Sequence, residues 1–189
     1  MSKYLSLSQL ESRTPGANVL IRENLSNRYF YAGKKLSVFL SHKHSDLAPL
    51  KRVAYLLEKL NSLIYVDWLD PSMPSYTCGR TAENIKKKIE QYDKFILVAT
   101  EGAIASKWCN WELGFGDAQK YASDKIALFP IRDEGSDWSG SEYLDIYPVI
   151  GYIDGYQYVS DFGYLDTGYY VFYHYGVKKA VKLESWLER

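Results

Sequence analysis

At 189 residues the chain has room for one domain with a substantial core and elaborations at its ends, and too little for two full domains. Lys and Arg number 23 against 23 Asp and Glu, so no long-range field draws the protein toward a phosphate backbone or an anionic lipid, and nucleic acid and membrane surfaces are not expected partners. Cys78 and Cys109 have neither metal-ligand nor redox spacing, and no apolar run suits a signal peptide or a bilayer span, so the expectation is a cytoplasmic protein without a metal site.

Residues 1–35 read as an N-terminal extension, with scattered apolar positions at Leu5, Leu7, Leu10 and Val19-Leu20-Ile21. From Leu36 short apolar runs alternate with segments of helical period, the pattern of βαβ units around a parallel sheet. Strands are predicted over 36–40, 63–66, 94–99 and 126–131, all short and mostly apolar as strands buried on both faces are.

Between the first two strands, Leu47, Leu50, Val53, Ala54, Leu57 and Leu60 predict a helix over 46–61, capped by Ser45 or Asp46, with Pro49 tolerated in its first turn. A second helix is predicted over 81–92 with Thr81 as cap, its stripe formed by Ala82, Ile85, Ile89 and Tyr92 and its solvated face by Lys86-Lys87-Lys88. Ser106 is expected to cap a third helix carrying Trp108, Glu112, Phe115 and Gln119 along one side and Trp111 on another.

Residues 36–132 are therefore taken as the core, and 133–189 as a Tyr-rich C-terminal extension that completes or caps it, holding 10 of the 18 tyrosines. The extension opens with a Gly/Ser/Asp-rich loop over 133–141, continues through possible strands at 149–153 and 169–173, and ends in a predicted helix with Val177, Ala180, Val181 and Leu187 as its buried stripe. In open parallel sheets, ligands bind outside the carboxyl ends of the strands. Ser41-His42, Asp67, the loop around Thr100 and the start of the third helix should meet there.

Phe39-Leu40-Ser41-His42, followed by Asp46, resembles the first signature box of Toll/interleukin-1 receptor (TIR) domains. Ser106-Lys107-Trp108-Cys109-Asn110-Trp111-Glu112-Leu113 is similar to the Ser-x-Trp-Cys-x-x-Glu-Leu motif that follows the third strand of that family. Val66-Asp67 and the segment from Gly79 to Ile89 match as well, so the resemblance covers roughly 36–131. It implies a flavodoxin-like open parallel α/β sheet and an enzyme that breaks the nicotinamide–ribose bond of NAD.

The resemblance assigns the catalytic role to Glu112 and substrate contacts to Trp108, Ser41, His42, Phe39 and Asp67. A loop after Asp67 longer than is usual for the family makes Asp70 an alternative to Asp67. Arg80-Thr81 stands where NAD-cleaving members often carry an aromatic residue, and no base contact is assigned there. NAD would be consumed as substrate, giving nicotinamide and either ADP-ribose or a cyclic isomer, with no resident cofactor. A chain of this size resembles the standalone bacterial antiviral type, as in Thoeris systems, whose nucleotide signal acts on a separate effector protein. Homo-oligomeric or head-to-tail assembly is common in the family.

One carboxylate suits this chemistry. The nicotinamide of NAD is already a cation and departs as a neutral base, so the second carboxyl that protonates an ordinary glycoside's leaving oxygen is not needed. A fixed negative charge beside the ribose stabilises the developing oxocarbenium ion. Spacing alone fits other readings: Glu112 as a surface glutamate in salt bridges, Trp108 as core, Asp67 and Asp70 as turn residues. The chain as a whole also fits a TIR adaptor that self-associates without chemistry, or an enzyme that cleaves free nucleosides. A response-regulator receiver is disfavoured, because Ser41-His42, Thr100-Glu101 and Arg132-Asp133 replace its acidic pair, Asp and Lys.

Overall fold

The computed structural model describes residues 3–17, 36–67 and 78–189. Asp70 and the Val19-Leu20-Ile21 run lie outside the described residues. The elements begin with β1 (Leu5–Ser6) and α1 (Leu7–Arg13), followed by β2 (Ser37–Ser41), α2 (Leu47–Lys59), β3 (Leu63–Tyr65) and α3 (Gly79–Gln91). Next come β4 (Lys94–Ala99), the single turn α4 (Glu101–Ile104), α5 (Lys107–Lys120), β5 (Ile126–Arg132) and β6 (Val149–Ile153). A hairpin of β7 (Gln157–Val159) and β8 (Gly163–Leu165), the strands β9 (Gly168–Tyr173) and β10 (Lys179–Lys182), and α6 (Leu183–Leu187) complete the chain.

Strands β3-β2-β4-β5-β6 lie side by side and are all parallel. Counted from β2, this is the flavodoxin-like order 2-1-3-4-5, whose direction of winding reverses between β2 and β4. The expected α/β class therefore holds. The sheet is also mixed, because β9 runs antiparallel to β6 and β10 antiparallel to β9.

Alternation along β4 divides the core between the two faces. Ile96 and Val98 point toward α1, α2 and α6, together with Leu10, Val53, Leu57 and Trp186. Phe95, Leu97 and Ala99 point the other way, against Ile85, Ile89, Cys109 and Leu113 of α3 and α5. Buried β-branched and aromatic side chains on both faces explain why this strand is legible as an unbroken apolar run.

Two local readings need correction. The second helix starts at Gly79 rather than Thr81, with Cys78 at its N-cap. Thr81 lies three residues inside, and its hydroxyl accepts the Cys78 N–H at 3.2 Å, so it serves the cap from within the first turn. At the C-terminus, Ala180 and Val181 belong to β10 and not to a helix, while Val177 is 81% exposed. Only Leu183–Leu187 is helical, burying Leu183, Trp186 and Leu187. The edge of β9 decides this, because pairing with it satisfies the backbone groups of Lys179–Lys182.

The N-terminal residues are woven into the sheet. Strand β5 pairs with β6 only at Leu128↔Val149, beyond which β1 pairs with β5 at Leu5↔Ile131 and Ser6↔Arg132. On the other side, the Tyr152 N–H donates to the Lys3 carbonyl at 2.8 Å. Residues 3–6 thus fill the fork where β5 and β6 diverge at their carboxyl ends. Arg132 locks the wedge, donating to the Tyr4 carbonyl at 3.0 Å and to Gln9 Oε1 at 2.9 Å. Gly151 makes the approach possible, since a Cβ there would lie 2.9 Å from the Lys3 carbonyl oxygen and 3.1 Å from the Phe172 ring.

Gly151→Val is therefore expected to destabilise the fold by on the order of 1–3 kcal/mol through overpacking. Residues 3–6 should lose hydrogen-exchange protection before β2 and β4 do. Uniform loss of protection, or none, would contradict the wedge.

Candidate active site

Helix α5 begins at the carboxyl edge of the sheet, where the Ser106 hydroxyl accepts the Cys109 N–H at 3.3 Å. Its buried line runs through Cys109, Glu112, Leu113, Gly116 and Lys120. Gly116 brings the helix close to the sheet, because a Cβ there would stand 2.9 Å from the Phe95 ring. This line replaces the expected stripe of Trp108, Glu112, Phe115 and Gln119, and Gln119 is exposed. Glu112 is consequently a carboxyl group in the apolar layer between helix and sheet, 3% exposed.

Its partner comes from the far side of the βαβ winding. Ser41, the last residue of β2, is itself buried and donates its hydroxyl to Glu112 Oε2 at 2.5 Å. The side chain of Trp108, one turn earlier on α5, also hydrogen-bonds the carboxyl group. Burial pushes the Glu112 pKa up to about 8. The bonds from Ser41 and Trp108 oppose that rise, and the nearby charge of Asp67 adds to it. At neutral pH the Glu112 carboxyl is therefore mostly protonated.

His42 continues β2 into the same region and is 5% exposed. Its Nδ1 lies 3.3 Å from the Leu40 carbonyl and 3.9 Å from Asp67 Oδ1. Desolvation pulls its pKa below the usual value, against the opposing pull of Asp67, so the ring is neutral at pH 7. Its Nε2 is buried and has no hydrogen-bond partner among the described residues. Asp67, 13% exposed in its side chain, is also approached by the exposed His44, whose Nε2 stands 3.4 Å from Oδ2.

The structure thus brings together Ser41, His42, Asp67, Trp108 and Glu112 at the point where the winding reverses. Phe39 is placed elsewhere: its ring is core, stacked between Tyr65 at 5.4 Å and Phe95 at 5.6 Å. Trp108 is half-buried, its ring 5.0 Å from that of Trp111, which lies close to it and not on a separate side. Among the described residues, no cluster of three or more His, Cys, Asp and Glu side chains could hold a metal ion.

Three ties at this edge join residues that no local pattern pairs. The Thr100 hydroxyl donates to Asp46 Oδ2 while accepting the Ala103 N–H at 3.0 Å, joining the start of α2 to the end of β4. Trp138, the one aromatic residue of the 133–141 loop, donates its indole N–H to the Ala99 carbonyl at 2.8 Å. Tyr143 donates to Asn110 Oδ1 at 2.5 Å, linking the β5–β6 connection to the first turn of α5. A tryptophan within a Gly/Ser/Asp-rich loop is the only sequence hint of these contacts.

A buried carboxyl on the helix after the third parallel strand, facing a serine at the end of the first, defines an α/β domain of the TIR class. The family model for the TIR domain matches residues 38–162, and the chain belongs to that family. The match reaches past β5 into the β6 and β7 region, further than the motifs alone indicated. The chain is similar to a Bacillus cereus (strain MSX-D12) protein named probable 3' cyclic ADP-D-ribose synthase ThsB', with 26% identity over 161 residues, 82% of this chain and 77% of that protein. It is also similar to a Cytobacillus dafuensis protein named putative cyclic ADP-D-ribose synthase TIR2, with 30% identity over 95 residues, 49% of this chain and 24% of that protein.

Glu112 makes stability depend on pH. Its folded pKa of about 8 lies above the ordinary value of 4.5, so its contribution is intact below the ordinary value and is lost as pH rises through the folded one. Glu112→Gln keeps the shape without the ionisation. Melting or urea titrations should show the variant matching wild type near pH 4.5 and exceeding it by up to several kcal/mol near pH 9. A constant difference across that range would place Glu112 in a solvated environment.

Proposed function

We propose that this chain cleaves the N-glycosidic bond between nicotinamide and ribose in NAD and closes the remaining ADP-ribosyl group into a cyclic ADP-ribose isomer. The observation that carries this reading is Glu112, a buried carboxyl aimed at the carboxyl edge of the sheet and held there by Ser41. The names of the two relatives, both cyclic ADP-D-ribose synthases, support the same substrate class.

The chemistry follows from the charges. Nicotinamide enters as a pyridinium cation, and a cation beside Glu112 favours the carboxylate over the acid that burial otherwise imposes. Binding and ionisation thus reinforce each other. As the C1'–N bond breaks, the electron pair leaves with nicotinamide, and the positive charge passes to the ribose, where the carboxylate stabilises it. The ribosyl cation is captured by an atom of the adenosine half of the same molecule, whose proton goes to solvent; capture by water instead gives ADP-ribose. Exclusion of water favours ring closure.

Ser41 orients the carboxylate and holds it in reach of the ribose. Trp108 stacks on the nicotinamide ring, and the neutral His42 Nε2 and the Asp67 carboxylate accept hydrogen bonds from ribose hydroxyls. Working inside the cell on its NAD pool, the product would serve as an antiviral signal to a separate effector protein, with self-association of the chain as the trigger.

Incubation with NAD and separation of products by mass tests this. Wild type should release nicotinamide together with a cyclic product, and Glu112→Gln and Glu112→Ala should lose at least about a thousandfold of the rate, the order of a removed electrostatic stabiliser. No nicotinamide release by wild type at high protein concentration, or equal release by the variants, would sink the proposal and leave a self-associating adaptor.

In wild type, kcat/KM should climb with pH and level off above about 8, since it reports the free enzyme's acid. Ser41→Ala, which removes a bond that favours the carboxylate, should move that inflection to higher pH. A flat profile would show that Glu112 is already ionised.

A further inference from the structure

Apart from the Glu112 site, the carboxyl edge carries a concavity of about 710 Å3, lined by the N-terminal wedge, the Trp138 loop, the end of β6 and the β7–β8 hairpin. None of Ser41, His42, Asp67, Trp108 or Glu112 lines it. Its size lies within the range of small-ligand sites.

Lys3 is the central feature. Its Nζ stands 5.1 Å from the ring centre of Tyr4, 5.9 Å from Phe162 and 5.3 Å from Phe172. Among the described residues it has no carboxylate within ion-pair distance. The acid whose charge acts on it, Asp161, is already paired with Lys178 at 3.0 Å, and Asp154 is paired with Arg13 at 3.4 Å. Half-burial draws the Lys3 amine below the ordinary lysine range. An ammonium resting on aromatic faces without a counter-ion is poised to take an anion.

The walls are aromatic. Tyr4 packs edge-on against Trp138 with ring centres 5.5 Å apart, and Tyr152 lies beneath the Arg13 guanidinium at 4.4 Å. Tyr158, 65% exposed, stands at the rim. His174 also lines the cavity, and its Nε2 is buried with no hydrogen-bond partner among the described residues. Aromatic faces around a single unpaired cation suit a ligand with a planar base at one end and a phosphate at the other.

We propose that this cavity is a second ligand site that binds a nucleotide, its phosphate on Lys3 and its base stacked between Trp138 and Tyr158. The site is built by residues 3–13 and the β5–β8 connections, and it does not depend on the role of Glu112.

Calorimetric titration of the Glu112→Gln protein tests it without turnover, using AMP and ribose 5-phosphate as probes. AMP should bind with a component that Lys3→Gln weakens at least tenfold and Tyr158→Ala weakens severalfold. Tyr158 is exposed, so its variant should melt like its parent, which separates loss of the site from loss of the fold. Ribose 5-phosphate, which lacks the base, should bind about tenfold or more weakly than AMP, the order of one lost base stack. ADP-ribose as a third probe distinguishes a site for the reaction's own product from one for a mononucleotide. AMP binding that is absent at millimolar concentration, or that neither Lys3→Gln nor Tyr158→Ala alters, overturns the proposal. Catalytic failure of wild type with NAD would leave this titration readable.

Discussion

The bond between Ser41 and Glu112 is the constraint around which this domain is arranged. A carboxyl group taken out of water is strongly disfavoured as an anion, and here one sits 3% exposed beneath the first turns of α5. Ser41, donating at 2.5 Å, and the Trp108 side chain recover part of that loss. The result is an acid held near neutrality in pKa at the place where the winding of the sheet reverses. A more solvated glutamate would be charged at all relevant pH values and would interact weakly with a developing cation.

Holding that carboxyl in place requires the carboxyl edge to be rigid, and much of the polar detail of the structure serves this. Asp46 receives the Thr100 hydroxyl, Ala99 receives the Trp138 indole, and Asn110 receives the Tyr143 hydroxyl. Each bond ties a loop to the end of a different strand or helix. Residues 3–6 fill the fork between β5 and β6, where an open gap would leave ladder groups unpaired. The far end of the sheet is closed differently, with the fully buried Lys94 lying 4.3 Å from the ring of Trp186 and donating to the Asp124 carbonyl at 3.4 Å.

Charge on this molecule acts locally. With a formal net charge of zero, the electrostatics of this edge are set by one buried carboxyl rather than by a surface field. The neutral His42 beside Asp67 is consistent with this, since a protonated imidazole would offset the negative charge that the site develops. The cavity beside the N-terminal wedge inverts the arrangement, presenting an unpaired ammonium among rings.

Much of the fold was legible in the chain itself. The strand over 94–99 and the stripe of Leu50, Val53, Ala54 and Leu57 emerge from apolar period alone, because burial on two faces or on one imposes patterns that neighbouring residues carry among themselves. The Ser106–Leu113 motif marked Glu112 by its resemblance to the TIR family and not by spacing, and Ser41 was placed at the carboxyl edge by being the end of a strand. Their bond spans 71 residues of sequence, and no local pattern encodes a partner at that separation. Long-range choices were likewise decided by the tertiary structure: Lys179–Lys182 became a strand because the edge of β9 was open, Phe39 became core because it lies between the rings of Tyr65 and Phe95 on the two neighbouring strands, and residues 3–6 found their place only once β5 and β6 diverged. Local period sets which face of an element is buried, whereas the identity of what it is buried against depends on topology, and it is topology that turned an acidic residue in a helix into a carboxyl group with a raised pKa.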